Sequence, residues 1–519
     1  MLNGDILLTI FTHYRLDNED WNRQLRWCRL SHVCRRWRYL IHQSFFHLNI
    51  HILFTNGSHT LAMLAHLPPL PLVIDYRVED AAGDGRGVLH AIQQRDRILR
   101  IVLRAPTLPL ERLLVPMDES FPRLESLALL SATKPGEGRS LMLPMTFLAP
   151  NLRHLSLGGI SLSKELLVLA STFSLVTLEL TDIQSPGYFT PETLVTRLQQ
   201  IPQLEGLSIG FFTPLPRPGA EGESFRSPIT PIVLPALRQL AFRGVSVYLE
   251  DLVSRISSPL LERCNITLFN QLNFTLPHLS HFIRTTETLR HPVANVIFNQ
   301  EGVSFVVSSR EEFNDGTFSL RVSCKPFDWQ IDSATQFFSE LVPVLSAAEE
   351  LTLDFEEENL PSDWPDEIDG MVWHGLLWPF ISVKKLCIGY PLASELSNAL
   401  ESGDAGLVLG LLPELEELEA QVELGHLNKA FAAFIDAREL AGGRHIRLSV
   451  SPVAISTTVS VEDGLLMPFP STTDEDEPPV SPPVLLQKNW FQRTVVEPVR
   501  RRLRPRTTRA GVVDRPLSA

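Results

Sequence analysis

The chain has few cysteines and no long uninterrupted hydrophobic run. Its 519 residues include only five cysteines, which are scattered and odd in number. This usage is typical of reduced thiols and excludes a disulfide-bonded scaffold. The longest apolar stretch, residues 166–178, contains hydroxyl side chains and is shorter than the roughly 20 residues that span a bilayer. We therefore expect a soluble protein of the cytoplasm or nucleus, without a membrane partner.

The first residues also lack the basic region with which a secretory signal begins. Asp5 is the first charged residue, and the apolar residues around it follow no lysine or arginine. The sequence therefore predicts no secretion.

A net positive charge over the main part of the chain, which would favour nucleic-acid binding, is missing as well. The formal net charge is −14, whereas residues 1–60 carry +3 and residues 484–519 carry +7, so the residues between them carry −24. An acidic body repels phosphate backbones, which argues against nucleic acid as a main ligand and favours a basic or polar target. The basic end either is a solvated terminus, which is the favoured interpretation, or contacts nucleic acid or acts as an import signal.

Leucine, by contrast, is abundant, with 83 residues, and it recurs in a fixed pattern. From about residue 120 the motif Leu-x-x-Leu-x-Leu or a close variant repeats, and up to Val293 its copies start 23 to 33 residues apart. Periods in this range indicate stacked supersecondary units. The copies are Leu124/Leu127/Leu129, Leu152/Leu155/Leu157, Leu175/Leu178/Leu180, Leu204/Leu207/Ile209, Leu237/Leu240/Phe242, Leu261/Cys264/Ile266, Val293/Val296/Phe298, Ala348/Leu351/Leu353, Val383/Leu386/Ile388 and Leu415/Leu418/Ala420.

The spacing within each copy predicts a short strand with one face inward. The last two apolar positions are separated by one residue, and strand residues alternate between faces. Because so small a unit cannot bury its own face, neighbouring units must cover it, and the core runs along the stack. The residues that alternate with the apolar ones should then point outward and bind a protein target. We predict these target-binding residues to be Ser156, Thr177, Glu179, Ser208, Arg243, Thr352, Lys385 and Glu419.

Residues 1–50 predict helices, because their apolar residues recur at a spacing of three or four. One such stripe runs from Ile6 to Phe11 and a second from Leu30 to Ile41. Beyond them, a strand at residues 72–76, a helix at 88–97 and a strand at 98–103 predict a β-α-β unit.

The order of residues in these helices resembles the F-box. Leu2, Asp5, Ile6, Leu7, Ile10 and Phe11 are followed by Val33-Cys34-Arg35-Arg36-Trp37 and then by Ile41, Ser44, Phe46 and Leu48. In F-box proteins this helical module joins a substrate receptor to the Skp-type adaptor of a cullin–RING ubiquitin ligase. Two departures are Asn3, where the family has proline, and a slightly long stretch between Phe11 and Val33.

The repeats over residues 120–420 resemble leucine-rich repeats, so the whole chain is similar to fungal F-box/leucine-rich-repeat families. Ile160, Ile183 and Val245 stand where such repeats often have asparagine or cysteine, which implies an irregular array without an asparagine ladder. The implied fold is α/β. It comprises an F-box domain at 1–50, a β-α-β segment capping the solenoid at 51–119, a leucine-rich-repeat solenoid or horseshoe at 120–450 with a proline-rich loop at 213–231, and a mostly disordered tail at 451–519.

The resemblance implies a substrate-recognition subunit of a Skp–cullin–F-box ubiquitin ligase, without catalysis, cofactor or metal of its own. Its partners would be a Skp-type adaptor, through that adaptor a cullin, and an unknown protein target. The implied adaptor-binding residues are Leu2, Ile6, Leu7, Ile10, Phe11, Leu30, Val33, Cys34, Trp37 and Arg38. The alternative, suggested by Asn3, is a stand-alone leucine-rich-repeat scaffold whose F-box has decayed.

Three further motifs have both a chemical and a structural interpretation. Gly206-x-Ser208-x-Gly210 matches the nucleophile pattern of esterases, but no helix is predicted after it, so an outward strand position is favoured. Gly83, Gly85 and Gly87 match part of a phosphate-binding loop, although a simple turn is favoured. His278 and His281 are three residues apart and lack further metal ligands nearby in the sequence.

Overall fold

The computed structural model describes residues 3–16, 26–45, 47–48, 50–56, 64, 69–78, 85–133, 140–214, 230–271, 274–309, 318–356, 370–390, 392–401, 410–422, 431–440 and 442–452. The contacts divide the chain into Met1–Ala454 and Ile455–Ala519, and every described residue belongs to the first unit. Leu2, Phe46, Gly83, most of the loop at 213–231 and nearly all of the tail at 451–519 lie outside the described residues.

Three helices form the amino-terminal module, α1 (Gly4–Leu16), α2 (Arg26–Val33) and α3 (Arg35–Gln43). Cys34 separates α2 from α3 because its backbone is extended and its Sγ accepts a hydrogen bond from the Trp37 amide at 3.4 Å, which caps α3. Leu7, Phe11 and Ile41 are buried in the same hydrophobic cluster as the first strand. The helices thus share the core of the rest of the unit.

One large sheet follows, in which sixteen strands are hydrogen-bonded in the order β1-β2-β3-β4-β6-β8-β9-β11-β13-β16-β15-β14-β17-β18-β19-β20. All neighbouring pairs are parallel except those of β15. The strands are β1 (Ile52–Phe54), β2 (Leu72–Arg77), β3 (Ile98–Ala105), β4 (Ser126–Ser131), β6 (His154–Gly158), β8 (Thr177–Ile183), β9 (Gly206–Phe211), β11 (Gln239–Gly244), β13 (Arg263–Phe269), β14 (Val293–Asn299), β15 (Gly302–Ser308), β16 (Phe318–Ser323), β17 (Glu350–Phe355), β18 (Lys385–Ile388), β19 (Glu417–Val422) and β20 (Arg447–Pro452).

Two small parallel ladders and ten further α-helices complete the described β-strands and α-helices. β5 (Leu141–Met142) pairs with β7 (Ile160–Ser161), and β10 (Ile232–Val233) pairs with β12 (Ile256–Ser257). The helices are α4 (Arg86–Ile92), α5 (Thr107–Leu114), α6 (Pro191–Leu198), α7 (Ser246–Ser254), α8 (Pro277–Thr285), α9 (Phe327–Glu340), α10 (Val342–Leu345), α11 (Gly370–Leu377), α12 (Leu392–Glu401) and α13 (Ala432–Leu440).

The ten copies of the leucine motif build the inner face of this sheet. In every copy the last two apolar positions lie on a strand, and all three positions are buried. Ile160 and Ile183 are also buried, so apolar contacts occupy the positions of the missing asparagine ladder. The prediction of a repeated inward-facing strand is therefore confirmed, and the fold is mixed α/β with a large, mostly parallel sheet.

Successive units are joined by a recurring backbone arrangement just before each strand. The carbonyl of Glu125 accepts hydrogen bonds from the amides of Arg153 and His154, and the carbonyl of Arg153 accepts from those of Val176 and Thr177. The same pattern recurs through Val176, Glu205 and Arg238, and again through Pro292, Glu349 and Lys384. Neighbouring units are therefore locked in register by pairs of backbone hydrogen bonds.

The sequence motif at Val293 does not continue the parallel series from β13. β14 lies three places further along the sheet, and antiparallel β15 and then β16 bring the chain back to pair with β13. The parallel array is thus interrupted by a three-stranded meander, which the leucine spacing did not reveal.

Candidate protein-interaction surfaces

The amino-terminal helices divide their apolar residues between the core and solvent. On α1, Leu7 and Phe11 are buried, whereas Ile6 and Ile10 are 49% and 46% exposed. Positions four apart lie on one face of a helix, so Ile6 and Ile10 form one exposed apolar strip. Val33, at the end of α2, is also exposed.

Trp37 connects the two environments. Its ring packs edge-on against the buried Phe11 ring, with 4.8 Å between centroids, and the side chain is partly exposed. Arg38, which follows it, is exposed, and its Nε donates to the Ser31 carbonyl oxygen at 3.0 Å. Trp37 is therefore both a packing residue and part of the surface.

The predicted adaptor-binding residues accordingly fall into three groups. Leu7 and Phe11 are buried, and Leu30 and Trp37 are partly buried. Leu2 lies outside the described residues. The exposed ones are Ile6, Ile10, Val33, Cys34 and Arg38. Tyr39 is an exposed aromatic residue on α3 that the sequence comparison with the F-box did not single out.

The eight predicted target-binding residues share one face of the large sheet. We call it the outward face, because its positions alternate with the buried leucine positions. Ser156, Glu179 and Ser208 are direct cross-strand neighbours on β6, β8 and β9. The remaining five, Thr177, Arg243, Thr352, Lys385 and Glu419, also occupy alternating positions of their strands.

Glu179 lies between Ser156 and Ser208 on this face and is partly buried. Burial raises the pKa of its carboxyl group, and a hydrogen bond from the Ser156 side chain opposes that shift. Ser208, on its other side, is nine-tenths buried. Of the eight residues, Ser208 is the least accessible.

The predicted residues at the far end of the sheet form an ion pair. Lys385 Nζ lies 2.9 Å from a Glu419 carboxylate oxygen, and the Cys387 thiol donates to the other oxygen at 3.4 Å. The hydrogen bond with Glu419 raises the pKa of Lys385, and the same contact lowers that of Glu419. Burial, together with the Glu419 contact, raises the pKa of Cys387 to about 11, so this thiol stays protonated at neutral pH.

Two of the basic residues on the outward face that the sequence reasoning missed are close neighbours. Arg100 and His154 lie on the first row of outward positions, separated only by Ser126 in the register of β3, β4 and β6. Burial, followed by the charges of Arg153 and Arg100, lowers the pKa of His154. The alternation rule that selected the other outward residues would have found both.

The three motifs with a chemical interpretation occupy ordinary structural positions where they are described. Gly206, Ser208 and Gly210 all lie inside β9, and no strand-to-helix turn begins at Ser208. Gly85 immediately precedes α4, and Gly87 lies within it. His278 and His281 lie on α8, and the described residues contain no group of three or more metal-ligating side chains.

A shallow polar cleft of about 460 Å³ lies outside the predicted surfaces. It is formed at the edge where β4, β6, β8 and β9 begin, next to the backbone arrangement that joins the units. Its lining residues are Leu99, Arg123, Glu125, Asn151, Arg153, Ser174 and Gln203. Within the described ranges, no helix is long and apolar enough to cross a membrane.

Comparisons with known proteins give little beyond this geometry. No family model matches the chain, and no curated protein matches it. Among solved structures, it is similar to the leucine-rich repeat-containing protein LegL7 from Legionella pneumophila, at 10% identity and a TM-score of 0.24, over 76% of this chain and 99% of that chain. So low a TM-score carries no argument, and the class of the protein rests on its own architecture, a mixed α/β repeat array with a helical amino-terminal module.

Proposed function

We propose that the chain is the substrate receptor of a Skp–cullin–F-box ubiquitin ligase. In this role it forms and breaks no covalent bonds itself. The amino-terminal helices dock a Skp-type adaptor and through it a cullin, while the outward face of the sheet holds a protein target. Binding both partners in one assembly raises the effective concentration of the target at the ligase.

The observation that carries this proposal is the exposure of Ile6, Ile10 and Val33. These three apolar side chains are exposed to solvent, whereas the apolar positions of the leucine motif are buried. They also fall at positions where the sequence resembles the F-box. Apolar side chains that cluster on a helix surface are suited to an apolar groove of a partner.

A second candidate function, a scaffold that does not bind the adaptor, is favoured by Leu7 and Phe11. Both fall on F-box positions, yet both are buried in the core of this chain. If the adaptor needs these two side chains, it cannot reach them without unpacking α1. The scaffold would still bind its target through the outward face.

Co-expression with the Skp-type adaptor separates the two functions. For the ligase receptor, we expect the full-length chain to retain the adaptor and, with it, a cullin. The double variant Ile6→Asp/Ile10→Asp should lose at least about tenfold of the retained adaptor, because two apolar contacts are replaced by charges.

Ile381→Asp is the matched control. Ile381 is 47% exposed, close to the exposure of Ile6 and Ile10, and it lies outside the amino-terminal helices. This variant should retain the adaptor at the wild-type level. Failure of the wild-type chain to retain adaptor or cullin would overturn the ligase proposal and leave the scaffold.

A further inference from the structure

The outward face carries mostly small side chains around Glu179. The three positions that β9 presents there are Gly206, Ser208 and Gly210, and on the other side β6 presents His154, Ser156 and Gly158. On its own strand, Glu179 is flanked by threonines at 177 and 181. We call Ser156, Glu179, Ser208 and the three glycines the anchor floor.

Two polar groups of the anchor floor are incompletely satisfied by the chain itself. In the described part of the protein, no lysine, arginine or histidine forms an ion pair with Glu179, whose shifted pKa reflects only burial and the Ser156 side chain. Ser208 is nine-tenths buried as a residue, and its hydroxyl forms no hydrogen bond with the described residues. A partly buried carboxylate without a cation and a hydroxyl without a hydrogen-bond partner both cost free energy that a ligand can recover.

At the far end of the same face, by contrast, the carboxylate of Glu419 is paired with a cation of this chain. Glu419 is paired with Lys385 at 2.9 Å and also accepts from Cys387. Glu179 has no corresponding lysine on a neighbouring strand, because its neighbours at that register are serines and, beyond them, alanines at 128 and 241. Glu419 is paired with a lysine of this chain, whereas a cation that pairs with Glu179 would be supplied by a ligand.

We propose that the anchor floor receives the cationic end of a lysine or arginine side chain supplied by the protein target. The ammonium or guanidinium group pairs with the Glu179 carboxylate and donates a hydrogen bond to the Ser208 hydroxyl oxygen. The aliphatic part of the side chain lies along β9 over Gly206, where an added Cβ would meet only the Thr177 side chain, at 3.5 Å. Charge-assisted hydrogen bonds of this kind are strong in a partly desolvated setting.

The same geometry excludes an acidic anchor, because a target carboxylate would meet Glu179 with like charge. This inference rests on the proposal that the outward face binds a target. It adds the chemical identity of one anchor residue in that target and the three side chains that select it.

Selection of random peptides on the immobilised full-length chain tests the inference without knowledge of the target. The probe is a display library of twelve-residue peptides, sorted against the wild-type chain and then against Glu179→Gln. We expect lysine or arginine to be enriched at one fixed position of the wild-type binders. A selected peptide should bind Glu179→Gln about tenfold or more weakly, which corresponds to the loss of one charged hydrogen-bonded pair.

Two further variants keep the result specific. Asp251→Asn is the matched control, since Asp251 lies on α7 rather than on the outward face and is already paired with Arg255 at 2.7 Å. This variant should bind the selected peptide like the wild type. Ser208→Ala should weaken binding by only about threefold, because it removes one neutral hydrogen bond and leaves the charge in place. Exchange of the enriched peptide residue for methionine should abolish the difference between the wild type and Glu179→Gln.

No enrichment, enrichment of acidic residues, or equal binding by Glu179→Gln would each overturn the inference. These outcomes are independent of the adaptor experiment. If the chain retains the adaptor but selects no basic residue, the proposed function stands and the inference about the anchor fails. If the chain selects basic peptides but does not retain the adaptor, the ligase proposal fails and the inference about the anchor stands.

Discussion

Several buried polar side chains in this protein bind backbone groups of neighbouring elements. The Glu250 carboxylate, on α7, accepts from the amides of His278 and Leu279 at 2.8 and 2.9 Å, at the start of α8. It thereby caps the amino terminus of a helix in the next unit, where a negative charge is favourable. Arg438 and Gln330 are buried donors, and they donate hydrogen bonds to backbone carbonyl oxygens of Leu411 and Asn299. These residues hold adjacent units together although the leucine motif gives no sign of them.

His154 shows how such a setting controls protonation. Its Nδ1 lies 2.9 Å from the Thr177 hydroxyl, and burial together with two arginines disfavours its charged form. The pKa in the folded protein is therefore below the ordinary value of 6.5. The unfolded chain binds this proton more readily, so folding stability contributed by neutral His154 is present above about pH 6.5 and is lost as the pH falls towards the lowered pKa.

We predict that His154→Gln reduces the loss of thermal stability on acidification. The wild-type Tm should fall between about pH 7.5 and about pH 5.5, and part of that fall should disappear in the variant because glutamine does not titrate. Thermal melts at both pH values measure the difference. The matched control is the same substitution at the exposed His47, which measures what the change of residue type alone does to the Tm. An equal fall in Tm for wild type and His154→Gln would contradict the prediction.

At the scale of single elements, the sequence predicted the strands well and their order only in part. Ten copies of the leucine motif mark ten strands, because burial every second residue is a local property of a strand. The order of strands in the sheet is a property of chain connections, which spacing does not record. β14 carries a recognisable motif, whereas β15 (Gly302–Ser308) and β16 (Phe318–Ser323) form the rest of the meander without one.

The same limit applies to the interaction surfaces. Alternation placed all eight chosen residues on the outward face, but it did not predict that Ser208 is nearly buried or that Lys385 and Glu419 form an ion pair. Helical periodicity placed Ile6 and Phe11 on one stripe, whereas the fold buries Phe11 and exposes Ile6. Which side of an apolar stripe meets the core depends on the neighbouring elements, and those are brought together only by the tertiary fold.

The turn between β14 and β15 provides a prediction at this scale. The Asn299 side-chain oxygen accepts from the amides of Glu301 and Gly302 at 2.9 and 3.0 Å, and the Gln330 side chain donates to the Asn299 carbonyl oxygen at 2.8 Å. A Cβ atom added at Gly302 would lie 2.0 Å from the Val322 carbonyl oxygen of β16. The close approach of the β15 and β16 backbones therefore requires glycine.

We predict that Gly302→Ala destabilises the protein by about 2 kcal/mol or more, because the two strands must move apart. Denaturant titration followed by circular dichroism measures the change. Gly206→Ala is the matched control, since a Cβ there would meet Thr177 at an ordinary 3.5 Å. That variant should stay within about 0.5 kcal/mol of the wild type. Equal stability of the two variants would show that the meander tolerates the added methyl group.

At the scale of the whole molecule, the hydrophobic cluster determines how far a local loss of stability extends along the array. The cluster runs from Leu7 on α1 to Ile446, next to β20, but each unit contacts mainly its neighbours. In such an array, stability is approximately a sum of unit and interface contributions. A defect at one end should consequently loosen that end while the amino-terminal helices and the anchor floor stay folded. The proposed adaptor and target sites lie in different units and should be separable by mutation.

The buried Arg438 at the carboxyl-terminal end of the described array tests this view. On α13, its guanidinium donates to the carbonyl oxygens of Leu411, Leu412 and Pro413 at 2.8–3.0 Å, which fixes the turn before β19. Arg438→Met leaves these buried acceptors without donors at a cost of about 1.5–3 kcal/mol. We predict that hydrogen exchange rises about tenfold or more in residues 410–422 and 432–452 and stays at the wild-type level in residues 72–131.

Arg444→Met provides the comparison, because Arg444 belongs to the same end but is half exposed and pairs with Glu414 and Glu416 at the surface. Exposed ion pairs contribute little to stability, so its exchange pattern should match that of the wild type. A rise spread evenly over the array in Arg438→Met would mean that the sheet opens as one cooperative unit. The adaptor and target sites would then depend on a turn that belongs to neither, and no variant at this end could loosen the array while sparing them.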